Sequence, residues 1–447
     1  MTNPDNTLDF LSDLLVRARK AGGDAADALL VEISGQSATW RLGKLENVER
    51  AESCDLGLRV FVGKRQAIVS TGDLARASLD RLIERALAIA KAVPADPHAG
   101  LADPDQVARD LPSLELDDGQ EPDTDSLARQ AAVAEEAALA HPGITNSEGA
   151  EARWSRARTT LVATNGFAGA SARSSHSIGA SVIAAANGVM ERDYEYRTKV
   201  RARDLPDPAE IGRTAAERAV ARLNPRKSKS KAVPVVFDPR VAGSMVRHLA
   251  SAISGPAVAR GTTFLKDRLG QAVFASGVTV VDDPLRPDGL RSRAFDAEGI
   301  RAEPCRLVDQ GVLTAWLLDC ASARQLGLST TGHAVRDVSS APSPAPANAY
   351  LEPGALSPDE LIRDIKEGLY VIEMLGMGVN MVTGDYSRGA TGFWIENGAI
   401  GWPVSEVTIA GNLAEMFAQL TPASDLEFRY GIDAPTLRID GMTVAGR

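Results

Sequence analysis

The sequence has few of the residues that build disulfide frameworks, metal clusters or membrane spans. It contains three cysteines, widely spaced and without a CxxC pair, which argues against a disulfide framework and a cysteine-rich zinc site. No two of its five histidines lie within one helical turn or hairpin, so a local zinc motif is not expected. No apolar run is long enough to cross a bilayer, and residues 1–10 lack the basic start and apolar core of a signal peptide. We therefore expect a cytoplasmic protein with reduced thiols and no membrane contact.

The charge balance and the missing motifs exclude further classes of function. Acidic residues outnumber basic ones by 59 to 49, a formal net charge of −10, so direct nucleic-acid binding is disfavoured. The sequence has no P-loop, no GxGxxG after a strand, no GxSxG elbow and no HExxH. Nucleotide-binding folds and standard serine hydrolases thereby lose their sequence support.

The hydrophobic patterns alternate between helical and strand periods along the whole chain. An apolar stripe predicts a first helix that ends at Gly22, and strands follow, with a hairpin that turns at Gly63-Lys64. Helices are also predicted at 73–92, 126–140, 207–223 and 239–254, and an antiparallel meander at 150–200. This order of elements indicates an α+β protein.

We predict two domains with a boundary in the polar, basic stretch that follows Asn224. Residues 1–225 are expected to form an N-terminal α/β sandwich-like domain with a curved sheet, in which the Pro-, Asp- and Gly-rich residues 93–125 form a loop-rich connection. Residues 226–447 are expected to form a mainly antiparallel β domain that carries helix 239–254.

Two polar segments could bind a ligand, and each has a structural alternative. Asp282, Asp283 and Asp288 could gather oxygen ligands around a cation, but the segment lacks the spacing of an EF-hand loop, and turn chemistry explains it better. Residues 376–394 combine five glycines with Asn, Asp, Tyr, Ser and Arg. Such a segment can hold a peptide main chain or a carboxylate, or it can form a system of tight turns, and the residues leave both open.

His248 lies at the edge of an apolar stripe on the predicted helix 239–254. By spacing alone, such a lone histidine is more often satisfied within a protein core than used as a ligand.

One long pattern in the C-terminal half covers 376–398 and 402–413, and extends over 237–261, 263–265, 295–299, 311–327 and 331–333. This pattern resembles the TldD/PmbA peptidase family, and specifically its PmbA (TldE) branch. The resemblance is thinner in the N-terminal half, at 57–63, Ala67, Ser70, Thr71, Asp193 and Tyr194.

The resemblance implies a peptidase built from two related subunits. The TldD-type chain holds a metal through a HExxxH helix and a later cysteine, whereas the PmbA-type partner lacks the metal. Here the corresponding positions are His248, Leu249 and Ile253, and no cysteine follows Cys320. Leucine cannot act as a general base and isoleucine cannot ligate zinc, so the degenerate motif predicts no catalytic and no metal-binding residue in this chain.

We therefore expect a PmbA/TldE-like, metal-free subunit of a TldD-type metallopeptidase complex that degrades or processes unfolded peptides. Zinc is expected in a TldD-like HExxxH partner, and the isolated chain is expected to be inactive and able to form a homodimer. Substrate or interface contacts are expected at Asn380, Asp385, Tyr386 and Arg388.

Two alternatives remain open. One is a non-enzymatic regulatory or binding protein, in line with the family's older description as a modulator of DNA gyrase. The other is an independent hydrolase whose site uses His248 or His333 with a Ser or Asp brought together by folding.

Overall fold

A computed structural model describes residues 4–446, and these residues form nine α-helices, nineteen strands and one 3₁₀ turn at Ala202–Asp204. The helices α1 to α9 are, in order, Pro4–Lys20, Arg76–Ala92, Thr124–Leu139, Pro208–Ala221, Pro239–Ala252, Gly255–Ala259, Cys320–Leu326, Pro358–Ile362 and Leu413–Ala418. The strands β1 to β10 are Ala25–Arg41, Lys44–Val62, Arg65–Thr71, Ile144–Ala163, Ala168–Ala186, Val189–Lys199, Lys231–Phe237, Val280–Asp282, Cys305–Asp309 and Val312–Leu313. The strands β11 to β19 are Ala334–Val335, Ser343–Pro344, Ala349–Leu351, Glu367–Leu375, Asp385–Glu396, Ala399–Asn412, Leu420–Pro422, Ile432–Asp433 and Leu437–Ala445. None of the helices within 4–446 has the length and apolar character of a membrane span.

The N-terminal half is a six-stranded antiparallel sheet in the order β3-β2-β1-β4-β5-β6. Alternate residues of β5 are buried, which is the period-2 pattern of a strand with one covered face. On β1, residues 26, 28 and 30 pack in the cluster with α1 and α2, and residue 38 packs in the cluster with α3 and α4. Because these β1 positions share one face, all four helices cover the same side of the sheet.

Helices α3 and α4 approach each other closely at Gly212. A Cβ atom at this position would lie 1.9 Å from the carbonyl oxygen of Ala134. Glycine is therefore required for this helix contact, and the alanines that fill the cluster beneath it permit the same close layering.

The C-terminal half contains a six-stranded sheet in the order β16-β15-β14-β7-β19-β17. Because β16 also pairs with β19, five of its strands form a closed ring. The largest apolar cluster of the described residues fills this half and includes the buried faces of α5 and α9. A second sheet, in the order β10-β9-β8-β13-β18, packs against the same cluster. The predicted α+β class, the curved N-terminal sheet and the strand-rich C-terminal half are confirmed.

A buried ion network joins the two halves. Asp27 of β1 lies 2.6 Å from Arg59 of β2 and 2.6 Å from Arg336, which follows β11. Arg59 lies 3.8 Å from Glu298, in the turn before β9. The uncovered face of the N-terminal sheet, including Leu161, packs beside this network against residues of the C-terminal half.

Candidate functional site

Helix α5 carries the degenerate motif, and its start follows from local capping. The Asp238 side chain accepts the backbone N–H of Arg240, and Pro239 occupies the first turn, where a missing N–H costs nothing. The helix packs closely on β18, because a Cβ atom at Gly243 would lie 2.6 Å from the carbonyl oxygen of Ile432. This contact fixes which face of α5 points into the core.

The two apolar motif positions lie inside that core. Leu249 and Ile253 are both 0% exposed and belong to the main apolar cluster of the C-terminal half. His248, by contrast, is half-buried at the edge of the cluster. Within residues 6–446, no three His, Cys, Asp or Glu side chains are arranged to hold a metal ion. The side chains at 248, 249 and 253 therefore do not fit a catalytic zinc, since only the first offers a lone pair.

One ring nitrogen of His248 lacks the hydrogen bond expected of a histidine in a protein core. Its Nε2 atom is buried and has no hydrogen-bond partner among the described residues. Burial lowers the pKa of the imidazole to about 4, and the neighbouring positive charges of Arg388 and Arg247 act in the same direction. The ring is therefore neutral at pH 7 and holds an unused polar atom at the edge of α5.

Tyr386 and Arg388 reach this histidine from β15. The rings of His248 and Tyr386 meet edge to face with centroids 5.9 Å apart, and the Tyr386 hydroxyl donates to the sulfur of Met374 at 3.2 Å. Arg388 is two residues further on and so shares a strand face with Tyr386; its buried Nε lacks a partner. Thus three of the residues singled out from the sequence lie together.

Asn380 lies in the exposed loop that connects β14 to β15, and Asp385 is the first residue of β15. The Asn380 side chain accepts the backbone N–H of Val382 at 3.0 Å, and its carbonyl accepts that of Gly384 at 2.8 Å. One Asp385 oxygen accepts the Thr383 hydroxyl at 2.7 Å, and the other accepts the Asn412 amide at 3.3 Å. Both side chains shape the turn, and both are exposed to solvent.

The glycines of this loop allow close backbone contact. A Cβ atom at Gly378 would lie 2.0 Å from the carbonyl oxygen of Ser387, and Gly384 has a left-handed φ of +82°. Structural turn chemistry therefore accounts for the glycine content, while Met377 projects outward at 91% exposure.

Sequence reasoning missed two arginines at this site. Arg247 precedes His248 on α5, and Arg291 packs its aliphatic stem against Gly431, where a Cβ atom would lie 2.7 Å from the arginine Cγ and Cδ. Arg247 could have been found as a cation next to the motif histidine. Arg291 could not, because only the fold brings residue 291 next to β18.

His333 takes part in a second His-containing arrangement, which is structural. Its Nε2 atom lies 3.1 Å from an Asp282 oxygen and 3.9 Å from the Cys305 sulfur. In a catalytic triad the carboxylate holds one ring nitrogen while the other nitrogen accepts the proton of the nucleophile. Here both groups approach the same nitrogen, so His333 cannot be held by Asp282 in this way while it accepts the thiol proton. Burial raises the pKa of the Cys305 thiol to about 12, which keeps it in the unreactive protonated form.

The remaining carboxylates of the 281–289 segment form turns. Asp283 accepts the backbone N–H of Leu285 at 3.0 Å, and Asp288 pairs with Arg201 at 2.9 Å. These contacts favour turn chemistry over a cation site.

Sequence comparisons match most of the chain to one family. Profiles of the PmbA/TldA metallopeptidases match in three parts: domain 1 at residues 26–90, the central domain at 117–223 and the C-terminal domain at 230–446. A relative from Escherichia coli O157:H7 named metalloprotease PmbA is 38% identical over 95% of this chain and 93% of its own length.

Solved structures share the fold. A protein from Bacteroides thetaiotaomicron, named as a proposed modulator of DNA gyrase, superposes with a TM-score of 0.91 at 26% identity and covers all of both chains. TldE from Thermococcus kodakarensis has the same fold, with a TM-score of 0.87 at 20% identity over 98% of this chain and all of its own. Together with the profile matches and the full-length relative, these findings show that the chain belongs to the PmbA/TldD metallopeptidase family, on its PmbA branch.

Proposed function

We propose that this chain is the metal-free subunit of a two-subunit peptidase that cleaves unfolded peptides. One observation carries the proposal: two of the three metal-motif positions, Leu249 and Ile253, are buried apolar side chains in a chain that otherwise matches the metallopeptidase family throughout. A TldD-like subunit with an intact HExxxH helix would then supply both the zinc and the general base.

The contribution of this chain would be a wall of the peptide-binding chamber. Asn380 is exposed on the β14–β15 loop and Asp385 at the start of β15, and Tyr386 and Arg388 continue along this strand toward His248. We propose these four side chains as contacts for the peptide or for the partner subunit. Main-chain pairing to a strand edge would hold extended peptides without requiring a particular sequence.

A free sheet edge is available for contact with a related subunit. Residues 44–55 of β2 pair with β1 alone among the described residues, because β3 pairs only with residues 56–62. Leu45 and Val48 are exposed along this segment. Long exposed edges of this kind readily pair with another chain, so we propose this edge for association with the TldD-like partner, or with a second copy when the chain is alone.

The deciding experiment is reconstitution. This chain, a HExxxH homologue from the same genome and their mixture are each incubated with an unfolded peptide, and zinc is quantified on the separated subunits. We expect cleavage by the mixture alone and zinc on the homologue alone. Size-exclusion chromatography with light scattering on the same samples would show whether a mixed dimer replaces the homodimer.

Two results would change the assignment. Zinc binding and cleavage by this chain alone would refute the inference from Leu249 and Ile253. An inactive mixture on every unfolded peptide tried would favour a regulatory role, which the name of the Bacteroides thetaiotaomicron structure also suggests for that protein. The independent hydrolase is disfavoured by the geometry at His333 and would need cleavage by the chain alone that survives a chelator.

A further inference from the structure

Five neighbouring arginines, three of them close to α5, form no close ion pair: Arg173, Arg247, Arg291, Arg293 and Arg388. None of them has a carboxylate oxygen within 4.0 Å among the side chains of residues 6–446. The group is continuous, because each charge acts on the next: Arg388 and Arg291 on Arg247, and Arg291 and Arg293 on Arg173. Carboxylates act on two of the five from beyond this distance, Asp433 on Arg247 and both Asp282 and Asp296 on Arg293.

Three of these arginines approach one another from separate elements, and two of them, Arg247 and Arg388, act on His248. Arg247 belongs to α5, Arg388 to β15, and Arg291 to the segment before β9. A Cβ atom at Gly243 would lie 3.6 Å from Arg247 Nη1 and 2.6 Å from the carbonyl oxygen of Ile432. Since Arg291 packs on the adjacent Gly431, the two arginines flank the same short stretch of backbone.

The hydrogen-bonding capacity of these groups is mostly unused. A guanidinium has five N–H donors. The Arg291 side chain donates only to the Pro346 carbonyl, at 3.4 Å. Among the described residues, the side chains of Arg247 and Arg388 donate no hydrogen bond. Asp433 is the nearby carboxylate whose charge acts on Arg247. Its oxygens are already taken by the backbone N–H groups of residues 429, 430 and 431.

An aromatic row continues from the arginines. The Tyr196 ring lies 5.7 Å from that of Tyr430 and 6.1 Å from that of Tyr194. Tyr194 and Tyr196 are both exposed, and the charge of Arg247 acts on Tyr196. Aromatic faces beside cationic groups suit an extended peptide with an acidic end or side chain.

We propose that Arg247, Arg291 and Arg388 bind a carboxylate group of an extended peptide beside His248. Neighbouring guanidinium groups repel one another, and a carboxylate would offset this repulsion with charge-assisted, bidentate hydrogen bonds. This inference deepens the proposed function: it rests on a peptide substrate and adds a preference for acidic side chains or for a free C-terminal carboxylate. Each source supplies the same chemical group.

The test uses the full chain and four fluorescein-labelled peptides of one length. The first is neutral and amidated, the second has a free C-terminus, the third is amidated with two glutamates, and the fourth is amidated with two lysines. We expect the second or the third to bind about tenfold or more tightly than the first, from the strength of charge-assisted bonds. Comparison of the second with the third identifies the source of the carboxylate, and added salt should weaken the preference.

Variants then locate the site. Arg388→Gln and Arg291→Gln should each abolish most of the preference, whereas Arg85→Gln, on the exposed face of α2, should preserve it. Arg291 is exposed, so Arg291→Gln tests the site even if Arg388→Gln perturbs folding. Equal binding of all four peptides, or a preference that survives both variants, would overturn the proposal.

The two experiments distinguish a failure of the carboxylate site from a failure of the proposed peptidase role. If the reconstituted mixture cleaves neutral and acidic peptides equally and the isolated chain shows no preference, the carboxylate site fails while the peptidase role stands. If the mixture cleaves nothing but arginine-dependent binding is present, the peptidase role fails and the site stands.

Discussion

Replacing Asp27 with asparagine should destabilise the junction between the two halves of the chain. Asp27 is the one carboxylate that lies against both Arg59 and Arg336 in the described structure, each at 2.6 Å, and the three side chains are 2–4% exposed. Loss of one partner from a buried ion pair costs about 3–5 kcal/mol, because the remaining charge is left uncompensated. Glu298 lies 3.8 Å from Arg59 and would compensate part of that charge, which places the expected loss near the lower value.

The assay is urea unfolding, followed by far-UV circular dichroism and tryptophan fluorescence. Asp364→Asn is the matched control, because Asp364 pairs with Arg438 at 2.6 Å but is 72% exposed. An exposed pair of this kind contributes at most about 1 kcal/mol. If the two variants lose equal stability, or if Asp27→Asn loses less than about 1 kcal/mol, the buried network does not hold the halves together and the reasoning is wrong.

Four further substitutions test the site and the strands around it. Arg388→Gln should raise the pKa of His248 above its value of about 4, yet leave it below the ordinary range because burial is the larger cause; NMR titration of the imidazole measures this. In the unfolded chain His248 takes up a proton at about pH 6.5, whereas in the folded chain it does so only at about pH 4. The free energy of unfolding should therefore fall as the pH drops from about 6.5 to about 4. His248→Gln should remove this part of the pH dependence. Gly392→Ala should cost at least about 2 kcal/mol, because its Cβ would lie 1.8 Å from the Tyr370 carbonyl oxygen; Gly35→Ala, with its nearest atom at 3.5 Å, is the control, and equal urea midpoints would contradict the clash. Leu249→Glu should lower the melting temperature sharply and leave the chain without bound zinc, because it buries a carboxylate in the core, whereas Leu328→Glu at a 47% exposed position should be tolerated.

The sequence predicted the fold class and most of the helices and strands because their signals are local. The hairpin at Gly63-Lys64 forms as expected, with β2 and β3 on either side, and helix 239–254 begins at Pro239 and ends at Ala252. The closed ring of strands was not predictable, since it depends on the pairing of β16 with β19, whose paired residues lie more than thirty positions apart. The division into domains at residue 225 stays a prediction.

At the candidate site, the sequence predicted only those residues that belong to a recognisable motif or to the family resemblance. His248, Tyr386 and Arg388 do meet, although their spacing along the chain gives no reason to expect contact. Asn380 and Asp385 were chosen as possible ligand contacts, and the structure shows the hydrogen bonds through which they also shape the β14–β15 turn. Arg291 was missed because its position depends on the backbone of β18, which reaches it from the far end of the chain.

The unused atoms at this edge of α5 are complementary. The guanidinium groups of Arg247 and Arg388 can only donate hydrogen bonds, whereas a neutral His248 ring has one nitrogen that accepts. The positive charges that would attract a carboxylate also help to keep the imidazole neutral, because they lower its pKa. A carboxylate bound beside His248 would raise the pKa of the imidazole above about 4, because a nearby negative charge favours the protonated ring. Saturation with the peptide that has a free C-terminus should therefore shift the NMR titration of His248 to higher pH, and an unshifted titration would place the bound carboxylate away from the histidine.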